Sequence, residues 1–411
     1  MAESAVRRAI DGGMRMRMAF QDGELKLISL MAEEAGKIIE LPGPMEAYDS
    51  GSMSRRMRDM ADALYEDAMR IARQTLADAY ESVAQEIESF ADEMQRMDYE
   101  ASAALDMDLK AAEDWARQTV EDISGTSEYA AYAEAQETIA RVESDIDTAI
   151  RIGINHMQRD ADDVYRKIIN DARDAAQADW SALRTSAKRT LNEFAEQGVT
   201  GFTDRLGRRW GLPEYVDMAL RTGAQRASLG ATISGMMAHG MDLCYVNAHM
   251  GCCEKCLKWQ GVIMSLRGAP GYPSLAEAIA DGLFHPNCAH ILQLFIEGYS
   301  RPGIGAPDGY TEEENAELYA KRQQQRYMER QLRKWKRLQA AALTPEDERI
   351  AQAHVKLWQR RIRELIGDDQ NMPRRYDREG GRVVLSDAAK KLKPLQIGEN
   401  GVEKTAEIPR V

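Results

Sequence analysis

Met57-Arg-Asp-Met60-Ala-Asp-Ala-Leu64-Tyr-Glu-Asp-Ala68-Met-Arg-Ile71 sets the fold class of this chain. Its apolar residues return every third or fourth position, which places Met57, Met60, Leu64, Ala68 and Ile71 on one face of an α-helix. The same spacing recurs at Val83, Ile87, Phe90, Met94 and Met97, and again at Ile139, Val142, Ile146 and Ala149, with mostly Asp, Glu, Arg and Gln opposite. No proline lies between Pro44 and Pro213, and no glycine between Gly51 and Gly125. These are the strongest helix breakers, so their joint absence allows long helices. Each apolar stripe must bury against another helix or another subunit. Breaks at Ser124-Gly-Thr126 and at Gly153 predict a few antiparallel helices rather than one rod.

Composition agrees. The chain has 411 residues and a net charge of -13; 44% of it is hydrophobic, 29% charged and only 7% aromatic. That balance suits a helical, solvent-rich protein with a packed core. No run approaches the ~20 apolar residues that span a bilayer, and Met-Ala-Glu-Ser-Ala-Val-Arg-Arg8 lacks the apolar core of a secretory signal. A reducing cytoplasm is the expected folding compartment, and no membrane partner is expected. So acidic a chain is not one whose whole surface binds nucleic acid.

Near Gln197 the text changes, with glycine, proline and β-branched residues becoming frequent. Asp242–Ala248, Val262–Leu266 and His290–Ile296 read as strands, and Ser274–Gly282 as a short helix with a capping box from Ser274 to Glu277. After a linker at Ser300–Pro307, Thr311 and Pro345 open two further helices, the second running to about Ile366. The expected fold is therefore mainly α with a small α+β domain. Residues 1–195 form long helices, 196–299 the α+β module, 300–367 a C-terminal helical hairpin, and 368–411 a polar irregular tail.

Chemistry concentrates in the module. Four of the five cysteines lie between Cys244 and Cys256, and the fifth sits in His285-Pro-Asn-Cys288-Ala-His290. The two-residue spacing of Cys253 and Cys256 lets both thiolates reach one ion from a tight turn, and Cys288 and His290 alternate on an extended segment. A Cys3His zinc site of Cys253, Cys256, Cys288 and His290 follows, with His285 and His249 as reserve ligands. Buried inert thiols, or a reversible Cys253–Cys256 disulfide, fit the same spacing. No Ser-His-Asp set, phosphate loop, HExxH or deaminase signature is legible. The chain is not expected to be an enzyme.

Two more stretches stand out. Gly201-Phe-Thr-Asp-Arg-Leu-Gly-Arg-Arg-Trp210 reads as a hairpin with Phe202 and Trp210 on the core, or as a turn whose Arg208 and Arg209 hold anions. Lys321–Arg337 carries eight basic residues against one acid, Glu329. It can pair with the acidic N-terminal helices, face solvent, or touch the phosphates of double-stranded DNA.

Taken in order, Gly201-Phe-Thr-Asp, Gly207-Arg-Arg-Trp210, Arg221-Thr222, Gly240-Met-Asp-Leu243, Cys253-x-x-Cys256-x-x-Trp259-x-Gly261, Pro273-Ser-Leu-x-Glu-Ala278 and Gly282-Leu-x-His-Pro-Asn-Cys-x-His290 resemble the phage minor capsid protein 2 family. That family is related to MuF-type head-morphogenesis proteins. The likeness covers about Glu196 to Gly298, with Ala289 where the family pattern usually carries Arg. It implies a virion structural protein of a tailed phage head, made in the host cytoplasm and seated at the portal vertex or inner capsid. Head assembly or DNA delivery would be its task. Portal protein, major capsid or scaffold protein, and further copies of itself would be its partners. A zinc-dependent enzyme or toxin-like effector carrying the same module is the alternative that the resemblance leaves.

Overall fold

A computed structural model describes residues 3–40, 50–104, 127–175, 180–198, 200–203, 209–238, 240–297, 300–302, 311–367 and 369–383. The described residues are mainly helical, as their periodicity predicts, with a two-stranded and a three-stranded antiparallel sheet. Helices α1 (Glu3–Glu40), α2 (Ser50–Ala104), α3 (Ser127–Ala175) and α4 (Trp180–Gln197) are followed by the strands β1 (Thr200–Thr203) and β2 (Arg209–Gly211). Helix α5 (Leu212–Ala238) then packs against α1, α2 and α3 at once.

The stripes bury as their spacing requires. Met57, Leu64, Ala68 and Ile71 are buried and Met60 packs beside them; Val142, Ile146 and Ala149 are buried too. They share one core with Met16, Phe20, Ile28 and Met31 of α1, and with Leu212, Val216, Leu220 and Ala224 of α5. The side chains of Val83, Ile87, Phe90, Met94 and Met97, and the segment Ser124–Thr126, lie outside the described residues.

The expected break at Gly153 is absent: α3 runs unbroken from Ser127 to Ala175. A Cβ at Gly153 would overlap the Leu212 side chain, so this glycine admits α5 rather than ending α3. Gly223 of α5 does likewise for Val142, whose Cγ1 would stand 2.7 Å from an added Cβ. In a well-covered helix the cost of glycine, about 1 kcal/mol against alanine, is offset by the closer approach of two backbones.

The expected hairpin forms, with β1 and β2 antiparallel and Phe202 opposite Trp210. Arg208 and the side chains of Phe202, Arg209 and Trp210 lie outside the described residues. Three short strands, β3 (Leu243–Val246), β4 (Met264–Ser265) and β5 (Leu292–Leu294), form a sheet ordered β4-β3-β5, antiparallel throughout. They sit inside the three expected strand segments and are shorter than them. Two short helices, α6 (Glu254–Leu257) and α7 (Leu275–Ala280), cover this sheet, and Ser274 and Glu277 make the expected capping box. A second core gathers Cys244, Val246, Met264, Leu275, Leu283 and Leu292, joined by Met236 from the end of α5. Helix α5 therefore enters both cores and carries the small module on the bundle.

Helices α8 (Glu312–Ala340) and α9 (Pro345–Ile366) form the expected C-terminal pair. Thr311 closes a capping box with Glu314, and Thr344 caps α9 just ahead of Pro345. The basic stretch is largely engaged within the chain. Arg337 pairs with Glu24 of α1 at 3.6 Å, Lys334 with Glu196 at 3.2 Å and Arg333 with Glu214, while Lys336 and Arg322 donate to backbone carbonyls. Beyond α9 the described residues 369–383 are irregular apart from a 3-10 turn at Tyr376–Arg378, yet they are docked, with Met372, Asp377 and Glu379 buried.

Candidate metal centre

The cysteine turn is held from outside the module. The Asn315 side chain near the start of α8 accepts from Gly251 N at 2.7 Å and Cys252 N at 3.1 Å, and donates to Cys252 O at 3.0 Å. Gly251 takes φ +77°, a left-handed geometry that glycine adopts without strain. Cys253 then occupies the N-cap of α6, and its carbonyl receives Cys256 N and Leu257 N. This single turn aims both thiols the same way.

The second half of the site comes from the loop between α7 and β5. Phe284 and Asn287 have φ of 58° and 66°, and are the non-glycine residues with positive φ among the described residues. Left-handed backbone at a bulky residue such as Phe284 costs free energy and persists where surrounding structure enforces it, so it marks sites. Here the two residues bracket His285 and precede Cys288, whose N–H donates to His285 O at 2.9 Å.

The donors meet in two groups. Cys253, Cys256 and His285 form one, and Cys256, Cys288 and His290 the other; in each, the ligand atoms lie within 4.8 Å of one another. Cys253 Sγ stands 3.1 Å from His285 Nε2, and Cys256 Sγ 3.8 Å from Cys288 Sγ. Tetrahedral zinc with Zn–S near 2.3 Å sets its sulfurs about 3.8 Å apart. All five cysteines are free thiols. Thus the turn and the distant loop ahead of β5, 32 residues apart in sequence, do converge.

The histidines differ in tautomer. His285 Nδ1 donates to Pro286 O at 2.9 Å, which leaves Nε2 with a lone pair towards Cys253. His290 is oriented by Gln260. The Gln260 carbonyl accepts from His249 N at 3.2 Å and its amide donates to His249 O at 3.1 Å, which fixes the amide direction. That amide therefore also donates to His290 Nε2 at 2.9 Å, so the proton of His290 sits on Nδ1 and points at Cys288 Sγ, 3.3 Å away. His249 stacks on His290 at 4.4 Å and belongs to neither donor group.

Electrostatics separates reactive from inert thiols. Hydrogen bonds from Cys256 and then His290 hold Cys288 well below the ordinary thiol range, while that same contact and burial push Cys256 up. Burial lifts Cys244 to about 12 and Cys252 to about 11, so these two behave as core thiols. Burial above all lowers His249 to about 4 and keeps it neutral. The sequence pattern puts His290 in the ligand set with His285 in reserve, and each lies in one of the two donor groups; the hydrogen bonds of Pro286 and Gln260, invisible in a spacing pattern, give the two rings different tautomers.

No solved structure matches the chain. Over 229 residues it is 25% identical to a structural protein of Lactococcus phage LL-H, covering 53% of this chain and 61% of that relative, so it spans less than two thirds of the relative's length. Over 121 residues it is 31% identical to a structural protein of Lactococcus phage mv4, covering 27% of this chain and 92% of the relative. The profile described as Phage minor capsid protein 2 matches residues 54–367, a span that includes most of the bundle, the whole module and the C-terminal pair. The chain belongs to the phage minor capsid protein 2 family.

Proposed function

We propose that this protein is a low-copy part of the phage head, seated at the portal vertex or the inner capsid surface, where it assists head assembly or DNA delivery. The observation that carries this reading is the family match over residues 54–367. Portal protein, major capsid or scaffold protein, and other copies of the chain are its partners. Contact with double-stranded DNA falls to the basic side chains of α8 for which the described residues supply no ion-pair or hydrogen-bond partner. Quantitative mass spectrometry of purified heads tests it. The protein should co-sediment with portal-bearing heads far below major-capsid stoichiometry; its absence from heads at every assembly stage overturns the reading.

Within that role the module carries a structural zinc held by Cys253, Cys256, Cys288 and His285. Four protein donors leave no open coordination position, which is the arrangement of a structural ion rather than a catalytic one. The two donor groups share Cys256, so drawing Cys288 towards the first group completes the set. His290 takes the supporting position, donating Nδ1–H to the Cys288 thiolate, with Gln260 behind it. Histidine 249, outside both groups, packs against that support. His285→Ala should abolish zinc retention, whereas His290→Ala should weaken it about 10- to 100-fold. The reverse order would restore His290 to the ligand set.

A further inference from the structure

A cavity of about 460 Å³, walled on one side by Cys253, Cys256, His285 and Cys288 themselves, lies between the module, α5, α8 and the docked C-terminal segment. That falls within the size range of small-ligand sites. Positive charge dominates its lining: the guanidiniums of Arg221, Arg322, Arg326, Arg375 and Arg378 face it and outnumber the Cys288 thiolate, and among the described residues no Asp or Glu faces it. Three of these guanidiniums are partly engaged. Arg322 donates to the carbonyls of Met250, Gly251 and Asn371, Arg375 pairs with Asp377 at 3.0 Å, and Arg221 lies 3.9 Å from Asp217. Arg326 and Arg378 have no carboxylate within ion-pairing distance among the described residues.

Several cations in one partly desolvated cavity repel one another, and solvent relieves this less than at an open surface. Arg378 registers the strain: burial, then the charges of Arg375 and Arg17, push it down to about 9. Surplus positive charge of this kind is relieved by a multivalent anion. Guanidinium forks match phosphate geometry, each able to donate two parallel N–H bonds to its oxygens.

We propose that this arginine-lined cavity binds a phosphoryl group, either free phosphate or the terminal phosphate of a nucleic acid. Arg326 and Arg378 supply the unpaired donors, and Arg221, Arg322 and Arg375 the surrounding field. The inference goes beyond the virion role and stands whether or not zinc occupies the neighbouring cluster.

Isothermal titration of the full chain with inorganic phosphate, at ionic strength held constant with chloride, tests it. Saturable binding is expected, and Arg326→Gln/Arg378→Gln should weaken it about tenfold to a hundredfold, as loss of charge-assisted hydrogen bonds predicts. Should the double variant fail to fold, Arg326→Gln alone carries the test, since Arg326 is exposed at the rim. A 5′-phosphorylated dinucleotide that binds more tightly than phosphate assigns the ligand to a nucleic-acid end; one that binds equally or less tightly assigns it to the free anion. No saturable binding of either probe, or binding that the substitutions leave unchanged, overturns the proposal.

Discussion

Replacing Arg17 with alanine should unseat the joint between the N-terminal helix, the central helix and the docked C-terminal segment. The Arg17 guanidinium on α1 pairs with Asp217 of α5 and, at 3.1 Å, with Asp377 of the 3-10 turn; side-chain exposures are 8%, 3% and 7%. The loss falls unequally. Asp377 keeps both bonds to Arg375, at 3.0 and 3.2 Å, whereas Asp217 keeps only Arg221 at 3.9 Å. Removing one partner of a buried ion pair costs about 3–5 kcal/mol, because it leaves an uncompensated charge. Urea unfolding followed by far-UV circular dichroism measures that loss at neutral pH. The pH dependence identifies its cause. Burial already raises Asp217 above its ordinary 3.8, with Arg17 the main opposing influence, and the substitution raises it further. A carboxyl whose folded pKa is raised destabilises the fold above that pKa, and this penalty disappears as the group protonates. The deficit of Arg17→Ala should therefore be full at neutral pH and shrink as pH falls through the raised Asp217 value. Arg17→Met/Asp217→Leu should recover most of it, since an apolar pair needs no charge compensation. A deficit below about 1 kcal/mol, the size of an exposed pair, or one that grows in acid, would refute this reasoning.

Other consequences follow from the same packing. Gly153→Ala drives a methyl group into Leu212, and the overpacking cost of about 1–3 kcal/mol exceeds the helix-propensity gain of about 1; in a Leu212→Ala background the substitution should be neutral or favourable by denaturant titration. Met157, 1% exposed in the bundle core, should cost about 2–5 kcal/mol when truncated to alanine. Asn315→Ala orphans the buried N–H groups of Gly251 and Cys252, at about 1–3 kcal/mol each, and should speed hydrogen exchange at the cysteine turn before the bundle responds. Neutralising Arg330 should lower any DNA affinity and its salt slope while leaving the melt unchanged; Arg333→Gln, which breaks the pair with Glu214, should lower the melting temperature as well.

Much of the fold is legible in the residues because helix periodicity is local. The Met57–Ile71 and Val142–Ala149 stripes, and the caps at Ser274, Thr311 and Thr344, need no tertiary information and stand where their pattern puts them. Glycine misleads. Gly153 looks like a break and Gly223 hides a 27-residue helix, because a glycine facing another helix serves packing rather than ending the element. Spacing alone suggests that Cys253, Cys256 and Cys288 converge, since a two-residue turn and an alternating strand each aim their thiols together. The choice between His285 and His290 is not local. It depends on a carbonyl at Pro286 and on an amide at Gln260, thirty residues from His290. The arginine cavity is likewise absent from any one stretch: its five guanidiniums come from α5, α8 and the C-terminal segment.

The metal content of the purified chain bears most directly on the Cys/His cluster as a clamp that joins a turn to the distant loop ahead of β5. Protein prepared under reducing conditions with metal-free reagents, analysed by mass spectrometry for bound elements, should carry about one equivalent of zinc and release it on Cys256→Ser, with loss of folding energy as for other structural sites. Less than about a tenth of an equivalent in the unaltered chain, under conditions where metal-dependent folds retain their ion, would contradict it.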